Sequence, residues 1–256
     1  MARMTGLDLF SGLGGIGEGL SPWVRTVAYC EIEPYARATL FSRMKRGEID
    51  PAPVHVDVSR LGKESLKEIG VHDLDIVFGG FPCTDISLAG QRAGMKGKDT
   101  KGKNTRSGLF YQITRIADEM KPKYIMLENV AAIRSMAIDQ VMEELHSQGY
   151  DARYGILSAY DVGACHKRER WWLLARRRDA KYIKETTDKP DPNGDDLFGV
   201  VNEWMDGSWE VGIPRLTDIK EHRANRLRLL GNSVVPQAVR EVILRLTGMG
   251  GMYGVE

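Results

Sequence analysis

Strand-like apolar runs alternate with helical patterns through the first 175 residues, and this alternation leaves few architectures open. Runs at 4–9, 26–30, 54–56, 74–78, 124–127, 153–158 and 171–175 read as strands, and 34–46, 62–69, 108–120 and 137–148 read as helices. Strands and helices in alternation pack as βαβ units, so the expected fold class is α/β with a mainly parallel sheet. In 34–46 the residues Tyr35, Ala38, Leu40, Phe41 and Met44 recur at helical spacing and predict an apolar face. With 256 residues, 42% of them hydrophobic, the chain can bury one large core, with room for a small appendage.

The strand ends carry the reactive groups. The run Leu74–Phe78 leads through Gly79-Gly80-Phe81-Pro82 to Cys83, which reads as a buried strand delivering a thiol at its carboxyl end. In open α/β sheets that edge is where ligands bind. A lone intracellular cysteine is more often a small buried hydrophobe, so Cys83 needs support from its neighbours. Gly12, Gly14 and Gly17 satisfy G-x-G-x-x-G after the first strand, with Glu31 after the second. Such a turn lets a cofactor approach the backbone while the acidic residue holds ribose hydroxyls; it fits a nicotinamide or a methyl donor equally, or a purely structural turn. Asp57 follows Val54-His55-Val56, and Glu128-Asn129 follow Tyr124–Leu127. Each acid alone reads as a turn or cap residue. Phe10, Glu31, Asp57, Cys83 and Glu128 together form one reactive sheet edge, and a dehydrogenase needs neither Cys83 nor Glu128 there.

Net charge is +1, yet basic residues cluster. Residues 92–106 hold six Lys/Arg against one Asp, and 166–178 hold six against one Glu. Arg215, Lys220, Arg223, Arg226 and Arg228 make a third group. One such run is ordinarily a solvated face; three point to a polyanion surface. Residues 90–107 show no period and read as a long functional loop. The composition changes between 179 and 214, where Lys189–Gly194 is turn-rich and Trp204 and Trp209 stand among polar residues. The expected organisation is a main α/β unit at 1–178, a small insertion at 179–214, and a segment at 215–256 returning to the first unit, with a helix from Pro236. The three cysteines, Cys30, Cys83 and Cys165, argue against a disulfide framework and against a zinc site, and place the chain in a reducing compartment. No apolar run approaches the roughly 20 residues of a membrane span, and no signal peptide is expected.

These motifs occur in one order: Asp8–Gly15, Gly80–Cys83, Glu128–Val130, Lys167–Arg170 and Gly231–Pro236. The ordered set, with a variable region between its last two blocks, resembles the DNA (cytosine-5)-methyltransferases of compact bacterial or phage type along nearly the whole chain. The resemblance implies a Rossmann-like S-adenosylmethionine-dependent fold and double-stranded DNA as partner; a compact single chain with no evident dimerisation segment, metal-ligand spacing or membrane span is expected to be a cytoplasmic monomer. It implies that Cys83 adds to carbon 6 of a flipped-out cytosine, that Glu128 donates a proton to ring nitrogen 3, that Asn129 fixes the loop, and that Arg168 and Arg170 stabilise the base carbonyl, the thiolate or a phosphate. The cofactor pocket falls to Phe10, Ser11, Gly12, Leu13, Gly15, Glu31, Ile32, Asp57, Val58, Pro82, Leu109, Asn232 and Ser233. Ordinary core is as good a reading for Ile32 and Val58. DNA contacts fall to Ser87, Gln91, Arg92, Lys96, Arg106 and Arg215, with the loop 84–107 as a moving clamp.

Three positions depart from the family pattern. Thr84 and His166 stand where glutamine is common, and the variable region spans only 36 residues between Arg178 and Arg215, so specificity rests on few contacts or on DNA shape. An RNA substrate, a nicotinamide-dependent oxidoreductase and a catalytically silent DNA-binding relative are the alternatives to be discriminated.

Overall fold

A computed structural model describes residues 2–81, 108–133, 137–180 and 221–247. Seven strands form one sheet: β1 (Met4–Leu9), β2 (Val24–Cys30), β3 (Val54–His55), β4 (Ile76–Gly80), β5 (Tyr124–Val130), β6 (Tyr150–Leu157) and β7 (Arg170–Arg177). Their order is β3-β2-β1-β4-β5-β7-β6. All neighbours pair in parallel except β7, which runs antiparallel to both β5 and β6. The helices are α1 (Gly15–Leu20), α2 (Pro34–Lys45), α3 (Lys63–Glu68), α4 (Gly108–Met120), α5 (Ile138–Ser147), α6 (Arg223–Asn232) and α7 (Pro236–Thr247).

Alternation within the strands explains the two-sided cover. Leu7, Leu9, Val77, Ile125, Leu127 and Leu173 point to one face, where they pack with Leu66 of α3, Phe110, Ile113 and Ile116 of α4, and Val141 and Leu145 of α5. Val24, Ile76, Phe78, Met126, Trp172 and Leu174 point to the other, beneath Ile16 and Leu20 of α1 and Ala238, Val239, Val242 and Ile243 of α7. Strand order reverses between β1 and β4, so the crevice beyond their carboxyl ends is the natural ligand position.

Three local expectations are corrected. Gly79 and Gly80 do not break the strand; β4 runs through both, Gly79 pairing with Leu9 and Leu127. A Cβ on Gly79 would lie 2.2 Å from the Leu9 carbonyl oxygen, so strand packing and not a turn requires glycine there. The expected apolar face of α2 is also narrower than its spacing suggested: Leu40 and Met44 pack with Tyr29 and Ile49, but Ala38 is exposed and Phe41 is 54% exposed. Third, Glu128 and Asn129 do not follow their strand; β5 runs through both to Val130, paired to β7 along its length.

Candidate active site

The first loop after β1 shapes one wall of the crevice. Phe10 has φ 56°, a left-handed conformation that strains a bulky side chain. Gly14, at φ 79°, turns the chain into α1 at no such cost. Ser11 donates its hydroxyl to the Asp8 carbonyl and accepts from the Cys30 N–H, tying this loop to the end of β2.

Glu31 closes the opposite wall. Its Oε2 accepts the Gly12 N–H at 2.7 Å and its Oε1 accepts the Glu33 N–H at 2.8 Å, so two backbone donors orient a carboxylate that is only 9% exposed. Next to it the Ile32 side chain is 69% exposed, an open apolar surface beside an oriented acid. Asp57, beyond β3, accepts both the hydroxyl and the N–H of Ser59 on Oδ1, and these bonds hold it below the usual carboxylate range. Val58 is buried in the main core and Leu109 packs against the same core. A ribose-ready carboxylate, an exposed aliphatic face and a second oriented acid suit an adenosine-containing cofactor.

Glu128 lies on the reacting side of the crevice. It pairs across to Gly80 of β4 and to Trp172 of β7. A Cβ on Gly80 would lie 2.5 Å from Glu128 Oε2, so the carboxyl rests directly over the strand that leads to Cys83. Because β7 is antiparallel, its first residue, Arg170, arrives at the same edge, and its Nε meets Glu128 Oε1 at 2.8 Å. Burial is the dominant influence on Glu128 and pushes it up to about 7 despite the opposing pull of Arg170 and then Arg168. Gly80→Ala should cut turnover about a hundredfold by displacing this carboxyl, while the protein still melts as a folded unit. Steady-state kinetics alongside a thermal melt check both parts.

Asn129 acts on the chain just before the cysteine. Its Nδ2 donates to the Phe81 carbonyl at 3.0 Å, and its Oδ1 accepts the Val130 N–H at 2.8 Å. Phe81 is two residues from Cys83, so this buried amide fixes where the next segment begins. Asn129→Ala leaves a buried carbonyl unpaired and should cost about 1–3 kcal/mol in a urea titration.

Arg168 is spent differently from the expectation. Its Nη2 donates to the carbonyls of Gly231 and Ser233, capping the end of α6 and holding the Gly231–Pro236 block against β7. Asn232 is exposed beside that clamp, and the Ser233 hydroxyl donates to the Leu230 carbonyl. The Glu128–Arg170 pairing was not legible in the sequence, since β7 could not be assigned its direction. Pro82, Cys83, Ser87, Gln91, Arg92, Lys96, Arg106 and Arg215, the loop 84–107 and nearly all of 179–214 lie outside the described residues. Among the described residues no group of His, Cys, Asp and Glu could hold a metal ion, and no helix is long and apolar enough to cross a membrane.

Fold and edge together define a Rossmann-like α/β domain whose parallel strands present oriented acids to one ligand crevice. The Dnmt2 methyltransferase of S. pombe shares the fold with a TM-score of 0.63 at 16% identity, over 98% of this chain and 100% of that one. The family model for C-5 cytosine-specific DNA methylases matches residues 4–210, and the chain belongs to that family. It is 33% identical over 237 residues to the type II methyltransferase M.CviJI of Paramecium bursaria Chlorella virus IL3A, covering 91% of this chain and 57% of that protein. It is 30% identical over 185 residues to M.HhaI of Haemophilus parahaemolyticus, covering 69% and 51%. The chain thus spans little more than half the length of these relatives. The oxidoreductase reading of Gly12–Gly17 falls with this assignment.

Proposed function

We propose that this chain methylates carbon 5 of a flipped-out cytosine in double-stranded DNA, with Cys83 as the covalent nucleophile. The observation that carries the reading is the buried Glu128–Arg170 pair beside β4, with the carboxyl raised to about 7 at the edge where Cys83 follows. Carbon 5 of cytosine is a poor nucleophile until a thiolate adds to carbon 6 and places electron density on the ring. As the Cys83 sulfur bonds carbon 6, the ring π pair moves toward nitrogen 3, and protonated Glu128 supplies the proton that neutralises it. Arg170 keeps the carboxyl in place and stabilises the carboxylate left behind. Glu31, Ile32 and Asp57 hold S-adenosylmethionine, which supplies an electrophilic methyl group when bound. After carbon 5 takes the methyl group, water removes the carbon-5 proton, the C–H pair forms the 5,6 double bond and expels the thiolate, and the nitrogen-3 proton returns to Glu128, restoring both side chains.

The duplex must release the target base, at a cost of a few kcal/mol. Phosphate contacts from Arg92, Lys96 and Arg106 in the loop 84–107, together with Arg215, serve that step, with residues 179–214 as the target-recognition region. The protein works as a monomer within the cytoplasm. The test is incubation with S-adenosylmethionine and duplex DNA bearing 5-fluorocytosine. Fluorine blocks the final elimination, so a denaturation-resistant protein–DNA adduct is expected. Absence of an adduct on pooled sequence-diverse duplexes, with an equivalent RNA duplex trapped instead, would transfer the reading to RNA; absence on both would overturn it.

A further inference from the structure

Helix α2 lies against the cofactor crevice, where Ala36 and Leu40 are buried and Leu40 packs with Tyr29 and Ile49. Two of its arginines reach the backbone of the two crevice walls. Arg43 donates through Nη1 to the Leu13 carbonyl at 2.6 Å, in the loop that follows β1. Arg37 donates through Nη1 to the Ile32 carbonyl at 2.6 Å and to the Glu31 carbonyl at 3.1 Å, in the loop that follows β2. Arg43 is the more enclosed, its side chain 15% exposed. Its remaining donors are fixed by Glu18 of α1 at 2.8 Å and by Glu48 at 2.9 Å.

Apolar packing seats α1 against α7 through Ile16 and Leu20, while a planar, three-way donor links the Leu13 carbonyl, Glu18 of α1 and Glu48 beyond α2.

We propose that Arg43 and Arg37 are positioning residues for the methyl donor, a two-armed brace by which α2 sets the spacing between the Leu13 loop and the Glu31–Ile32 loop. They act through backbone carbonyls and touch neither the cytosine nor the reacting atoms. The brace matters for cofactor affinity and leaves the chemical step alone. This inference rests on the assignment of the crevice to S-adenosylmethionine.

The experiment is calorimetric titration of S-adenosylmethionine into the wild-type full chain and into Arg43→Lys and Arg37→Gln, with kcat and KM for cofactor and DNA and a thermal melt for each. Lysine keeps the charge facing Glu18 and Glu48 but cannot span three acceptors from one planar group. Arg43→Lys is expected to weaken cofactor binding five- to twentyfold with kcat within threefold of wild type and KM for DNA unchanged. Arg37→Gln should weaken it three- to tenfold in the same pattern. A merely structural role would instead lower the melting temperature and the active fraction at unchanged cofactor KM, which overturns the proposal. Cofactor affinity within twofold of wild type in both folded variants also overturns it. If Arg43→Lys does not fold, Arg37→Gln alone decides. Failure of the wild type to bind S-adenosylmethionine would strike the crevice assignment itself, which separates the two ideas.

Discussion

Cys83→Ala is expected to lower methyl transfer at least about a thousandfold and to abolish the 5-fluorocytosine adduct, with DNA binding retained. The size of the effect follows from the chemistry: without addition at carbon 6 the ring offers no nucleophile at carbon 5, and no other group along the edge can substitute. Cys83→Ser should be nearly as inactive, because a hydroxyl stays protonated near neutrality where a thiol is partly ionised. Cys30 cannot take over, since it is buried in the main core and burial raises its thiol to about 12. Filter binding of labelled methyl groups and denaturing electrophoresis of the adduct give the two readouts. Turnover by Cys83→Ala within tenfold of wild type would remove the covalent route altogether.

Glu128→Gln carries the second large effect, an expected fall in kcat of roughly 10²–10⁴ from loss of general-acid catalysis. Its pH dependence has a definite sign. Burial raises Glu128 to about 7 from an ordinary value of 4.5, so the protonated, proton-donating form is depleted as pH rises through 7. Single-turnover rates of the wild type should therefore fall on the alkaline side, approaching tenfold per pH unit, and Glu128→Gln should lack that limb. Stability has the matching sign. Between pH 4.5 and 7 the folded state binds more protons at this site than the unfolded chain, so this group's contribution to stability declines across that window as pH rises. Above pH 7 the loss levels off. Denaturant titrations at pH 5 and pH 8 should show a smaller difference in Glu128→Gln than in wild type. An alkaline limb that persists in the variant would assign the ionisation to another group.

The βαβ alternation was legible because buried strands and helices write their periods into short windows. The runs 4–9 and 108–120 coincide with β1 and α4 residue for residue. Phe10, Glu31, Asp57 and Glu128 were legible as one edge because each follows, or lies toward the carboxyl end of, a strand of the same parallel set. The antiparallel direction of β7 was not legible, since direction depends on which strand a segment pairs with and not on its own residues. That direction brings Arg170 to Glu128. The attachment of α2 was only partly legible: of its expected apolar face Leu40 and Met44 pack against Tyr29 and Ile49, while Arg43 and Arg37 add hydrogen bonds to the Leu13 and Ile32 carbonyls.

By itself the sequence determined the fold class, the ordered motifs and the residue types at the sheet edge, because local periodicity and turn chemistry are encoded within a few residues. Tertiary structure decided the electrostatics of that edge. Burial between two other strands, against Gly80 and Trp172, raises the Glu128 carboxyl, and the pairing with Arg170 opposes that rise. Desolvation and ion pairing act between groups distant along the chain, and only folding sets their separation.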